Sequence, residues 1–156
     1  MYFLNNDTAV LPGWLDTVLA TLETHPDAGL VGSKLIYPDG LLQEAGAYLW
    51  AEGGGHNVGR FSDPAEPGYN YLRDVDYISG AGIAVRRSAW EAVGGFDERY
   101  VPAYCEDSDL AMTLRQHGDL LRQREHDMHV VLDDQDRQAG RADLLQKVDR
   151  GVGVGA

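Results

Sequence analysis

Two short acidic segments carry residue types suited to cation binding and proton transfer. Asn5-Asn6-Asp7-Thr8 follows an apolar run, and Glu106-Asp107-Ser108-Asp109 precedes a helical one. Asp7 offers hard oxygen to a divalent cation, and Asn5 and Asn6 offer amides to a ribose or phosphate. The same four residues also suit an Asx-rich turn leading to a helix at Pro12. In the second segment a carboxylate can act as general base, because a sugar hydroxyl attacks poorly until its proton is taken. Acids at a helix start also complement the helix dipole and cap free N–H groups. The residues alone leave both readings open at both places.

Two further segments accompany them. In DYISGAGIAVRR (residues 76–87), Gly80, Ala81 and Gly82 let a ligand approach the backbone closely, or make a tight bend between strands. Arg86 and Arg87 offer charge to a diphosphate, or end a strand in solvent. In GGFDERYVPAY, Phe96 is expected to pin the loop in the core, while Tyr104 is open to stacking against a sugar face. His25, His56, His117, His126 and His129 have no zinc-like spacing with cysteine, although His126 and His129 can share a helix face.

The elements that must position these groups read as one α/β domain. Residues 1–4 read as the end of a buried strand. Pro12 opens a helix whose Trp14, Leu15, Val18, Leu19 and Leu22 form one apolar face, and His25-Pro26-Asp27 ends it. Residues 29–37 (GLVGSKLIY) predict a strand and Pro38-Asp39-Gly40 a turn. Residues 41–50 predict a second strand, and residues 51–70 a long glycine- and proline-rich loop of functional or disordered character. Short strands follow at residues 74–79 and 82–86. Ser88–Glu91 matches a capping box for a short helix that Gly94-Gly95 ends. A helix after Glu106-Asp107 places Leu110, Leu114 and His117 on one face and stops at Gly118. Beyond it, a strand at 130–132, a helix at 142–148 and a disordered GVGVGA tail are expected.

Composition narrows the partners. The chain of 156 residues carries 13 Lys and Arg against 25 Asp and Glu, a net charge of −12. That balance argues against nucleic acid, whose phosphates need clustered Lys and Arg. The single cysteine, Cys105, permits no intrachain disulfide and fits a reducing compartment. No stretch approaches the apolar length of a membrane helix, and the N-terminal residues lack a signal-peptide pattern.

The ordered series LNNDT, PGWLD, GLVGSKLIYPDG, SGAGIAVRR, GGFDERY and EDSDLAMTLRQHG resembles the family 2 glycosyltransferases of the GT-A fold, in their rhamnosyltransferase-like, cell-surface polysaccharide branch. The resemblance runs from Met1 to about Gly118. It implies an α/β domain with a mixed sheet flanked by helices, and inverting transfer from a nucleotide-diphosphate sugar to a saccharide or lipid-linked acceptor. It implies a donor and diphosphate site at Asn5, Asn6 and Asp7, with Asp7 binding Mg²⁺ or Mn²⁺. It also implies Asp107 as general base, Glu106 as its neighbour placing the acceptor, and Gly80, Ala81, Gly82 and Tyr104 on the acceptor side. Asn5 stands where the family usually has an Asp.

The same resemblance implies a preceding βαβ nucleotide-binding portion that this sequence lacks, so residues 1–121 are expected to be a partial, N-terminally truncated GT-A domain. Residues 122–156 form a divergent tail in which Leu132 or Asp133 occupies the place of a family histidine. The implied location is the cytoplasm or the inner face of a membrane. Two other readings stay open: a non-catalytic fragment or pseudoenzyme of this fold, and a metal- or carbohydrate-binding module.

Overall fold

The computed structural model describes residues 1–127. Its centre is β2 (Ala28–Ile36), in which all nine residues are buried. Such a continuous apolar run suits a strand covered on both faces. On one side β2 pairs antiparallel with β7 (Gly82–Val85), which pairs antiparallel with β1 (Tyr2–Leu4). On the other side it pairs in parallel with β8 (Leu120–Asp127), which is antiparallel to β6 (Arg73–Asp74). The short β3 (Leu42–Glu44) pairs with the C-terminal end of β2. The result is a mixed sheet in which β1, β2 and β8 run in one direction.

Helices cover both faces, as the sequence predicts. Alternation along β7 makes the division visible, since successive side chains point to opposite faces. Ile83 and Val85 join Leu30, Leu110 and Leu114 in the core beneath α2 (Arg87–Val93) and α3 (Glu106–Gln116). Ala84 joins Val18 and Val31 beneath α1 (Trp14–Thr24).

Several local expectations change. β1 has a neighbour on one side only among the described residues, so Leu4 is 41% exposed rather than buried. The helix expected at Pro12 begins at Trp14, after Gly13 at φ +81°. Its buried stripe is also narrower than expected. Val18 and Thr21 are buried and Trp14 and Leu22 pack alongside, but Leu15 and Leu19 are 48% and 47% exposed. A helix turns about 100° per residue, which carries Leu15 and Leu19 off the stripe defined by residues 14, 18, 21 and 22.

The strand expected over residues 41–50 is two strands, β3 and β4 (Ala47–Leu49), divided at Gly46, whose φ of +83° breaks the extended run. β4 forms a hairpin with β5 (Gly55–Asn57), inside the segment expected to be a loop. The remainder of that segment is fastened by Lys34 of β2. Only 1% exposed, Lys34 donates from Nζ to Pro64 O at 2.9 Å and to Asn70 Oδ1 at 2.7 Å.

The capping box at Ser88 does not form. α2 starts at Arg87 with Arg86 as its cap, so Ser88 already lies inside the first turn, where its hydroxyl cannot cap. Arg86 faces the protein interior, donating to the carbonyls of Ala28, Leu22 and His25 and binding the end of α1 to the sheet. Arg87 is exposed beside Glu91. His117 is the exposed C-cap of α3 rather than part of its buried face, which is Leu110, Ala111 and Leu114. β8, which the sequence does not signal, follows Gly118, and His126 falls on this strand rather than on a helix. The segments expected at 130–132, at 142–148 and in the tail, with His129, Leu132 and Asp133, lie outside the described residues.

Candidate active site

β1 and β2 both end at an open cleft of about 1330 Å³. Ligands in open α/β sheets bind outside the carboxyl ends of strands. Asn5, the first residue after β1, lines the cleft and donates its N–H to Ala81 O at 3.1 Å. That bond ties the strand end to the turn at residues 79–81, which forms the cleft floor. Gly80 has no side chain there. A Cβ at this position would lie 3.8 Å from Asp107 Oδ2 and from Glu106 Oε1.

Across the floor, α3 presents its first turn. Cys105, at φ +78°, redirects the chain sharply before Glu106. Asp107 Oδ2 accepts the N–H of Gly80 at 3.0 Å, and Oδ1 accepts the N–H and hydroxyl of Ser108 at 2.6 and 3.1 Å. The carboxylate is therefore held by three donors, yet it still lines the cleft. Glu106 lines it as well, and its Oε2 is buried without a hydrogen-bond partner. Tyr104 stands at the mouth, 85% exposed.

The cleft thus brings together Asn5, Gly80, Ala81, Tyr104, Glu106 and Asp107. The other sequence candidates lie apart from it. Gly82 is buried in β7 opposite Leu4. Asn6 and Asp7 are exposed in the turn after β1 and are not among the lining residues. No group of three or more His, Cys, Asp or Glu converges on a metal position among the described residues. The carboxylate of Asp7 is a hard oxygen donor, and Mg²⁺ is commonly held by one or two carboxylates with water and substrate phosphate completing its shell. Asp7 suits such a shell in its donor chemistry but lies outside the cleft lining, and the described residues form no all-protein cage.

Three lining groups escape sequence reasoning. Arg60, from the segment pinned by Lys34, and Asn57, at the end of β5, reach the cleft wall, and Arg60 is the sole cation among the lining residues. Glu44 lines an adjoining recess of about 240 Å³ with Glu106 and Asp107. Glu44 is fully buried; Oε1 accepts Ser79 N–H at 3.3 Å, while Oε2 has no partner. Burial pushes its carboxyl up to about 7, with the nearby charge of Asp107 adding to the rise and the Ser79 N–H and Arg60 opposing it. A charged residue inside the mostly apolar LLQEAGAYL is the signal that could have found it. Beneath these groups, Asp76 braces the hairpin to α3 by accepting Leu49 N–H at 3.0 Å and pairing with Arg115. Burial opposes its charge, but these two donors outweigh burial and hold the carboxyl below the usual range.

A mixed α/β domain whose strand ends open on a carboxylate-bearing cleft is a class shared by many enzymes, and relatives narrow it. The chain is 34% identical over 128 residues to an O-antigen biosynthesis protein of Myxococcus xanthus, covering 78% of this chain and 10% of that one. It is 36% identical over 125 residues to the N-acetylglucosaminyl-diphospho-decaprenol L-rhamnosyltransferase of Mycobacterium tuberculosis, covering 73% of this chain and 40% of that one. It is also 33% identical over 122 residues to an uncharacterized protein of Sinorhizobium fredii, covering 74% of this chain and 13% of that protein. No family model matches the chain. Over about three quarters of its length the chain is thus similar to rhamnosyltransferase-like glycosyltransferases, and it spans between 10% and 40% of the length of these relatives.

Proposed function

We propose that the cleft transfers a sugar from a nucleotide-diphosphate donor to a saccharide or lipid-linked acceptor with inversion, in the manner of a family 2 enzyme of the GT-A fold. The observation that carries this reading is the placement of Asp107. A carboxylate fixed by the Gly80 N–H and still lining a cleft at the ends of β1 and β2 suits a general base. Asp107 takes the proton of the acceptor hydroxyl as that oxygen attacks the anomeric carbon. The bond from carbon to the diphosphate oxygen breaks on the opposite face, and the nucleoside diphosphate leaves with the electron pair. Asn5 and Arg60 orient the diphosphate, Arg60 by its charge, and Tyr104 stacks on the acceptor at the mouth. Glu106 accepts a hydrogen bond from a second acceptor hydroxyl. Asp7, in the turn with Asn6, would hold Mg²⁺ or Mn²⁺, which supplies positive charge beside the diphosphate.

The mycobacterial relative, whose name specifies a diphospho-decaprenol, supports the lipid-linked acceptor. It agrees with a cytoplasmic site of action at a membrane face. No helix among the described residues is long and apolar enough to cross a membrane.

Transfer from dTDP- or UDP-sugars is the test, read in the chain and in Asp107→Asn. Loss of a positioned acid–base group lowers turnover by roughly 10²–10⁴-fold, while donor binding persists. Normal turnover in Asp107→Asn would remove the base assignment.

A further inference from the structure

Glu44 and Asp107 belong to different elements, β3 and α3, yet they hang from consecutive amides of one turn. Ser79 N–H donates to Glu44 Oε1 at 3.3 Å, and Gly80 N–H donates to Asp107 Oδ2 at 3.0 Å. The two N–H groups belong to the peptides flanking Ser79, so a displacement of that residue alters both bonds. Glu44 lies behind the cleft, fully buried, and lines with Asp107 the same 240 Å³ recess. Its second oxygen, Oε2, is buried without a partner. An unpaired buried carboxyl oxygen is costly, and stability alone favours replacing it. Its placement beside the base gives it a task.

We propose that Glu44 is a positioning residue for Asp107: through the peptides flanking Ser79 and through its own charge, it sets the placement and proton-accepting strength of that carboxylate. This rests on the reading of Asp107 as the base. Titratable groups face the pair from each packed element: Glu106 beside Asp107 on α3, Cys105 before it, Arg60 from the pinned segment, and Tyr77 ahead of the turn. Arg60 alone among these is cationic, and it offsets the repulsion in part.

The consequence has a definite direction. Below the Glu44 titration near 7 the buried carboxyl is neutral. Above it, two negative groups share the recess, and a proton arriving on Asp107 relieves their repulsion. Proton capture from the acceptor is thereby favoured as pH rises through that range.

The test is an NMR titration of the full chain, following the Ser79 and Gly80 amides and the Glu44 side-chain carboxyl carbon. It needs neither donor nor acceptor, so its failure is separable from a failure of the transferase reading. Both amides are expected to shift together with a midpoint near 7. The step should vanish in Glu44→Gln, which keeps an acceptor for Ser79. In Asp107→Asn its midpoint should fall, because the nearby negative charge that raises it is gone. A Gly80 amide that does not follow Glu44, or a Glu44 midpoint that stays in place in Asp107→Asn, would overturn the proposal. Where transfer is measurable, turnover should rise across pH 7 in the chain and lose that limb in Glu44→Gln. An unchanged profile in that variant would also overturn it.

Discussion

Gly80 and Asp107 stand 27 positions apart in the chain and meet through one 3.0 Å hydrogen bond from backbone amide to carboxylate. The turn before β7 supplies one partner and the start of α3 the other, so the bond joins the two at the cleft floor. Because the donor is main chain, a side-chain substitution at position 80 leaves it intact unless it removes the N–H.

A pair of variants at this position separates space from hydrogen bonding. In Gly80→Ala the added Cβ would meet Asp107 and Glu106 atoms at 3.8 Å, an ordinary contact. Its thermal midpoint is expected within a few degrees of the parent, with weaker acceptor binding because the methyl enters the cleft. Gly80→Pro removes the N–H, and is expected to lose transfer far beyond what Gly80→Ala loses. Comparing melting curves with acceptor KM for both variants checks this.

Glu44 gives the folded state a pH dependence with a definite sign. Its carboxyl is raised from 4.5 to about 7 on folding. Between those values the folded chain holds a proton that the unfolded chain has released. Stability from this group is therefore intact below about 4.5 and declines as pH rises toward 7. The shift corresponds to about 3 kcal/mol at most. Glu44→Gln should flatten this slope and be more stable than the parent at pH 8, while near pH 5 the difference shrinks. Denaturant midpoints at the two pH values measure it.

Lys34 couples stability to the cleft wall. Its ammonium fastens the segment that carries Arg60 through Pro64 and Asn70. Lys34→Ala is expected to destabilise the chain by about 3 kcal/mol, the scale of hydrogen bonds from a buried charge. It should also weaken donor binding, by freeing Arg60. Donor affinity unchanged in a folded Lys34→Ala would show that the wall does not depend on this anchor.

Local signals in the sequence carry much of the fold. The apolar run at residues 29–37 anticipates β2, Pro38-Asp39-Gly40 forms its turn, and Gly94-Gly95 and Gly118 end their helices in left-handed geometry. Half of the cleft is legible for the same reason. Asn5 follows directly on a strand, and Glu106 and Asp107 stand at a helix start. What escapes is tertiary. The exposure of Leu15 and Leu19 depends on where α1 rests on the sheet, and the failure of the Ser88 cap depends on Arg86 being drawn toward the α1 carbonyls. Glu44 and Arg60 enter the site through contacts across the fold, which neither periodicity nor spacing encodes. β8 is missed because LLRQREHD lacks the alternation of a half-buried strand, and its pairing with β2 supplies what the pattern does not.

Calorimetric titration of the chain with dTDP- or UDP-sugars, with and without Mn²⁺, measures the central claim most directly. Saturable, Mn²⁺-dependent binding is expected in the chain and in Asp107→Asn, and is expected to vanish in Asp7→Ala. Binding of free sugar without a nucleotide would point instead to a carbohydrate-binding module. Absence of any binding would mark a fold that has kept the cleft without its donor, and either result would contradict the account.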